Sequence, residues 1–143
     1  MQEPARIAHA WFERVWNQGD EGAIEELFSS TGIAHGLGAE EGGKLLGPEA
    51  FKPFARNFRA AIPNIRIALN HCLVDGDLCA VHCDVTGTHT GDGLGIAATG
   101  REVRFSGMSI IRVAHGQIQE AWNSFDFLSF YQQLGALPAL GQH

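Results

Sequence analysis

The segment Ile65–Thr88, IRIALNHCLVDGDLCAVHCDVTGT, decides the fold. Ile65, Ile67 and Leu69 alternate with Arg66, Ala68 and Asn70, a period of two that turns one side of a strand toward a core. Asp75-Gly76 is a tight-turn pair, so the segment doubles back as an antiparallel hairpin. In the returning arm, Val81, Cys83 and Val85 share one face while His82 and Asp84 share the other.

Working outward, Thr90–Gly100 is a glycine-rich connection and Arg101–Ala114 a third long strand, closed by the His115-Gly116 turn. Gln117–Asp126 is a fourth strand, and Phe127–Leu134 a closing helical turn stopped by Gly135. Several strands are apolar on both faces, Met108–Val113 above all, which calls for a covering on the second face, often a second subunit. On the N-terminal side the period lengthens. Ile7, Trp11 and Val15 recur every four residues over Pro4–Gln18, with Ala8, Phe12 and Trp16 beside them. Asp20 caps a short helix through Phe28 that buries Ala23, Ile24, Leu27 and Phe28. Ser29–Gly47 is loop-rich, with room for a short strand at Ile33–His35. Gly47-Pro48 opens a third helix with Phe51, Phe54, Ala55, Phe58 and Ile62 inward; Pro53 either kinks it or marks its start.

Three helices followed by a meander of at least four strands define an α+β layer fold. The expectation from element order is an antiparallel sheet with the helices segregated from it, one sheet face toward helices and one toward solvent or a partner. The 143 residues fit one domain, 1–136, with a loose tail at 137–143. A chain of this size buries roughly 70% of its unfolded surface, enough for a core without staples. Net charge is −6 and the ten Lys and Arg are scattered singly, which argues against nucleic acid or an anionic membrane as partner. No apolar run approaches the ~20 residues that span a bilayer, and no secretory leader opens the chain, so a soluble cytoplasmic protein is expected. Cys72, Cys79 and Cys83 lack metal-ligand spacing and read as free, mostly buried thiols.

Several short motifs, in order, carry a resemblance. They are Trp16-Asn17-Gln18-Gly19-Asp20, Ala34-His35, Val74-Asp75-Gly76-Asp77 with Gly87-Thr88-His89-Thr90-Gly91, Thr99-Gly100-Arg101 with Gly107-Met108-Ser109-Ile110-Ile111-Arg112, and Gly116–Trp122 with Asp126 and Gln133-Leu134-Gly135. Together they resemble the SnoaL-like polyketide cyclase or ester cyclase family of the nuclear-transport-factor-2-like (cystatin-like) superfamily. The resemblance implies a curved antiparallel sheet wrapped around the N-terminal helices, a cone with an internal pocket, small hydrophobic or aromatic ligands, and frequent homodimers through the sheet; no cofactor or metal is expected. Function itself has to be argued from the site.

In the cyclases the resemblance points to, a His-Trp-Asp stretch lies on the last strand and its Asp acts as general acid/base. Here the matching triplet is Ala121-Trp122-Asn123. An amide accepts and donates hydrogen bonds but does not exchange a proton near neutral pH. Asn123 can therefore orient a carbonyl or an enolate oxygen. The remaining proton-transfer candidates are His35, expected at the pocket mouth, and Asp126. Each has a structural alternative: a backbone-bonded histidine, and a cap for the closing helix. Trp16, Ser109, Ile111, Ala121, His82 and His89 are the ligand-binding candidates. His82 with Asp84 also reads as the solvated side of a strand, and His89 as a loop organiser. Neighbouring strand positions face opposite sides, so His82 with Cys79 or Cys83 makes no metal site. Three functions fit: an acid/base enzyme acting on a hydrophobic carbonyl compound, a non-catalytic carrier of such a compound, or a dimerisation scaffold.

Overall fold

The computed structural model describes residues 1–37 and 43–137. Residues 38–42 of the expected loop-rich segment, and the expected tail beyond Leu137, lie outside the described residues. Helix α1 (Glu3–Ala10) has Pro4 in its first turn and runs directly into a π-helical stretch, Trp11–Asn17. The wider turn sets Trp11, Phe12, Val15 and Trp16 on the buried side together. The helix stops at Gly19, whose φ of +70° suits glycine. Helix α2 (Glu21–Leu27) follows.

Phe28 is not the last helical residue but the first of strand β1 (Phe28–His35). That strand pairs in parallel with β6 (Gln117–Phe125), and its register shifts between Phe28 and Ile33. The irregularity breaks the alternation by which the strand could be read. Gly32 belongs to it: a Cβ there would stand 2.3 Å from the Phe28 ring. Strand β2 (Lys44–Leu46) pairs antiparallel with β1. Helix α3 (Gly47–Ala61) runs unbroken through Pro53, buries Phe51, Ala55 and Phe58, and leaves Pro53 itself exposed.

The hairpin that opened the sequence reading is β3 (Arg66–Asp75) and β4 (Leu78–Thr88); β5 (Glu102–Ala114) and β6 complete the meander. Sheet order is β2-β1-β6-β5-β4-β3, antiparallel except for the β1–β6 pair. Helix α4 (Phe127–Gln133) closes the chain. Alternate residues of β4, β5 and β6, among them Val85, Phe105, Ile111 and Ile118, meet the aromatic faces of the helices in one core. The other face carries Leu73, Met108, Ile110 and Trp122, all exposed.

Side-chain amides dock the helical elements on the strands by imitating a missing neighbour. The Ile67 amide donates to Asn17 Oδ1 at 2.7 Å, and Asn17 Nδ2 donates to the Ile67 carbonyl at 3.0 Å. Gln133 does the same for Arg104, at 2.8 and 2.7 Å, beyond the point where β6 has ended. Each pair satisfies backbone groups that would otherwise lie unpaired at a strand margin. Among the described residues, no helix is long and apolar enough to cross a membrane.

Candidate functional site: an aromatic cavity with one polar corner

Between helices and sheet lies a cavity of about 60 Å³. Trp11, Trp16, Phe51, Phe54 and Phe58 form its helical wall, and Ile111, Ala121 and Phe105 its sheet wall. The aromatic rings pack edge-to-face, for example Trp11 on Phe51 at 4.9 Å and Trp16 on Phe58 at 6.1 Å. A second recess of about 410 Å³ adjoins it, bordered by Leu45, Leu94 and Tyr131. Leu37, Phe54, Phe58 and Phe127 line both spaces and form the partition between them.

The polar corner is made by β5 and β6. Ser109 and Asn123 are direct cross-strand partners, and the parity of each strand turns both side chains inward. Ser109 Oγ donates to Asn123 Oδ1 at 2.8 Å, while Asn123 Nδ2 donates to the His35 carbonyl at 2.9 Å. These bonds fix the amide's orientation and leave one Nδ2 hydrogen and a Ser109 lone pair for a ligand. Gly36 permits the close approach of β1: it holds φ +82°, and a Cβ on it would stand 2.1 Å from the Asn123 carbonyl oxygen. Among the described residues, no carboxylate, imidazole, amine or thiol lines the cavity.

Trp16, Ser109, Ile111, Ala121 and Asn123 thus lie where a ligand would sit. The other four candidates do not. Ala34 takes the inward position of β1, so its neighbour His35 points through the outer face rather than into the pocket mouth. There its ring stacks on Trp122 at 5.7 Å and its Nε2 meets Glu120 Oε2 at 2.6 Å, with Arg112 3.6 Å from the same carboxylate. The bond from His35, aided by Arg112, holds the Glu120 carboxyl below its ordinary range. His82 also lies on the outer face, opposite His71. His89 is fully buried away from the cavity; its Nδ1 accepts from the Thr99 amide at 3.2 Å, and its backbone exchanges bonds with Gly100 and Arg101. It therefore pins the two ends of the glycine-rich connection. Asp126 caps α4, accepting from the Ser129 amide at 3.0 Å.

Trp11, Phe54, Phe58 and Phe127 were not among the sequence-derived ligand contacts. The helical spacing of Trp11, Phe54 and Phe58 marks them as core, and core and cavity wall share that signal; Phe127 reads only as the start of the closing helical turn. Burial pushes the Cys79 and Cys83 thiols up to about 12, so both are inert structural residues.

An α+β cone closed by helices over an aromatic cavity defines a class of small-molecule-binding folds. Within it, the chain belongs to the SnoaL-like polyketide cyclase family, whose model matches residues 6–134. Solved structures agree. A candidate SnoaL-like polyketide cyclase from Jannaschia sp. CCS1 is 20% identical, with TM-score 0.82, covering 95% of this chain and 94% of that one. IdmH from Streptomyces antibioticus, also a candidate polyketide cyclase, is 25% identical with TM-score 0.80, covering 94% and 99%. A candidate polyketide cyclase from Bacillus cereus ATCC 10987 is 28% identical with TM-score 0.78, covering 94% and 82%. No curated protein sequence matches.

Proposed function

We propose that the chain binds a largely apolar carbonyl compound of polyketide type in the aromatic cavity, holds its carbonyl oxygen at the free Nδ2 hydrogen of Asn123 and accepts a ligand hydroxyl at Ser109 Oγ, supplying no side-chain acid or base. The observation that carries this reading is the lining: a greasy enclosure with one fixed amide–hydroxyl pair and, among the described residues, no titratable group. Such a site folds a flexible chain and polarises one carbonyl. Ring closure is then promoted by confinement and by hydrogen bonding to the developing oxyanion, while water carries the protons. The same pocket binds the closed product and retains it.

At about 60 Å³ the cavity holds a few waters at most, whereas pockets for compounds of this kind run to roughly 300–1,000 Å³. Ligand entry therefore swings Phe54, Phe58 or Phe127 aside and joins the cavity to the adjoining recess. Calorimetric titration with a hydroxyanthraquinone, a flat aromatic ketone, tests the reading. Asn123→Leu is expected to weaken binding about tenfold, the value of one hydrogen bond to a buried carbonyl. Equal affinity in wild type and Asn123→Leu would overturn the polar corner's role.

The same proposal includes a homodimer through the outer sheet face, where Leu73 (70% exposed), Met108 (61%) and Ile110 (47%) leave an apolar stripe uncovered. Ile110→Lys should then yield a monomer by sedimentation; a wild-type monomer at micromolar concentration would remove the dimer.

A further inference from the structure

On the outer face, three potential metal ligands lie in a row across adjacent strands. His71 of β3 is the register partner of His82 of β4, and His82 is the register partner of Met108 of β5. Directly opposed residues of antiparallel strands point to the same side, so both imidazoles and the thioether share one face. A β-bulge creates the alignment. The β3–β4 register shifts between Leu69 and His71, leaving Asn70 as the extra residue and bringing His71 level with His82. Asn70 is held in that role by its bond to Asp84, 3.0 Å.

The two ring nitrogens nearest each other are His71 Nδ1 and His82 Nδ1, 3.3 Å apart. Two nitrogens bound at about 2.0 Å to one ion at a tetrahedral angle stand about 3.3 Å from each other, so the pair already has the spacing of a chelate. Without metal, one Nδ1–H donates to the other. Met108 is exposed, and its unbranched side chain has the reach and freedom to bring sulfur to an ion over the neighbouring strand. Imidazole alone suits several divalent ions; a thioether beside two imidazoles selects copper, and Cu(I) most of all.

We infer that His71, His82 and Met108 form a surface copper site, taking Cu(I) in a two-imidazole, one-thioether set. It lies across the sheet from the aromatic cavity, uses one chain only, and is independent of the ligand reading above. Met108 also belongs to the stripe proposed for dimerisation, so the site is tested both in wild type and in Ile110→Lys, which keeps all three ligands.

The experiment is competition for Cu(I) against the chromophoric chelator bicinchoninate, under argon with ascorbate. One Cu(I) per chain is expected to leave the chelator. His71→Ala and His82→Ala should each weaken binding at least tenfold. Met108→Leu, which keeps the side-chain volume, should weaken Cu(I) several-fold and leave Zn(II) binding unchanged. Cys72→Ser should keep full Cu(I) affinity, because its thiol belongs to the inner face. Failure to withdraw Cu(I), unchanged affinity in His71→Ala or Met108→Leu, or loss of binding in Cys72→Ser would each overturn the assignment.

Discussion

Replacing Asn123 by Asp restores the carboxylate that the family resemblance places at this position, and its cost follows from the surroundings. The amide's Nδ2 donates to the His35 carbonyl, and its Oδ1 accepts from Ser109. A carboxylate keeps the second bond but sets one oxygen against the His35 carbonyl; only the protonated acid can donate there. Aromatic neighbours add desolvation. Together these effects raise a half-buried Asp above the ordinary carboxylate range in the folded chain. A carboxyl whose folded pKa exceeds its unfolded one binds its proton more tightly when folded, so stability falls as pH rises between the two values. Asn123→Asp should therefore match the wild type within about 1 kcal/mol near pH 4 and lose roughly 2–3 kcal/mol above pH 7, the cost of a part-buried carboxylate oxygen set against a carbonyl. Urea unfolding of both proteins across that range measures the difference. A constant difference at all pH values would mean that the position 123 side chain is solvated and that the polar corner does not exist.

Other consequences are testable with single variants. His35→Ala should leave hydroxyanthraquinone affinity and any ring-closing activity unchanged, because the imidazole lies across the sheet from the cavity. In the same variant the acid limb of stability should flatten: Glu120, held low mainly by His35, contributes stability above its unfolded pKa that is lost as pH falls through the folded value, and the larger part of that contribution goes with His35 while Arg112 keeps the rest. Phe58→Ala removes a buried ring stacked on Phe130 at 5.4 Å and should cost about 3–5 kcal/mol in denaturant unfolding. Gly91→Ala would put a Cβ 1.9 Å from the Ala60 carbonyl oxygen; it should destabilise by at least about 2 kcal/mol, read as a lower thermal midpoint. With a thiol reagent at pH 8, half-buried Cys72 should react in the native protein, while Cys79 and Cys83, pushed up to about 12, should react only on unfolding.

The β3–β6 meander was legible because period-2 alternation and the Asp75-Gly76 and His115-Gly116 turns are local signals. Ser109 and Asn123 were legible for the same reason: once a strand's parity is known, so is the side each residue faces. Strand β1 was not, because Gly32 and a register shift interrupt its alternation and its partner β6 lies some ninety residues away in sequence. Without that parity the sequence allows His35 either face, and the structure turns it outward onto Trp122 rather than to the pocket mouth. The bulge at Asn70 hid the His71–His82 pairing likewise, since shifting register by one residue exchanges the faces of every side chain beyond it. The cavity could not be read from the helices at all. The stripe of Trp11, Trp16, Phe51 and Phe58 is the same whether the space it encloses is filled or hollow.

A crystal structure of the chain with hydroxyanthraquinone bound would decide whether this pocket recognises carbonyl oxygen. The expected density places a ligand carbonyl within hydrogen-bonding reach of Asn123 Nδ2, with Phe54, Phe58 or Phe127 rotated to join cavity and recess. A ligand confined to the outer recess or lying against Trp122, with its carbonyls in water, would contradict it.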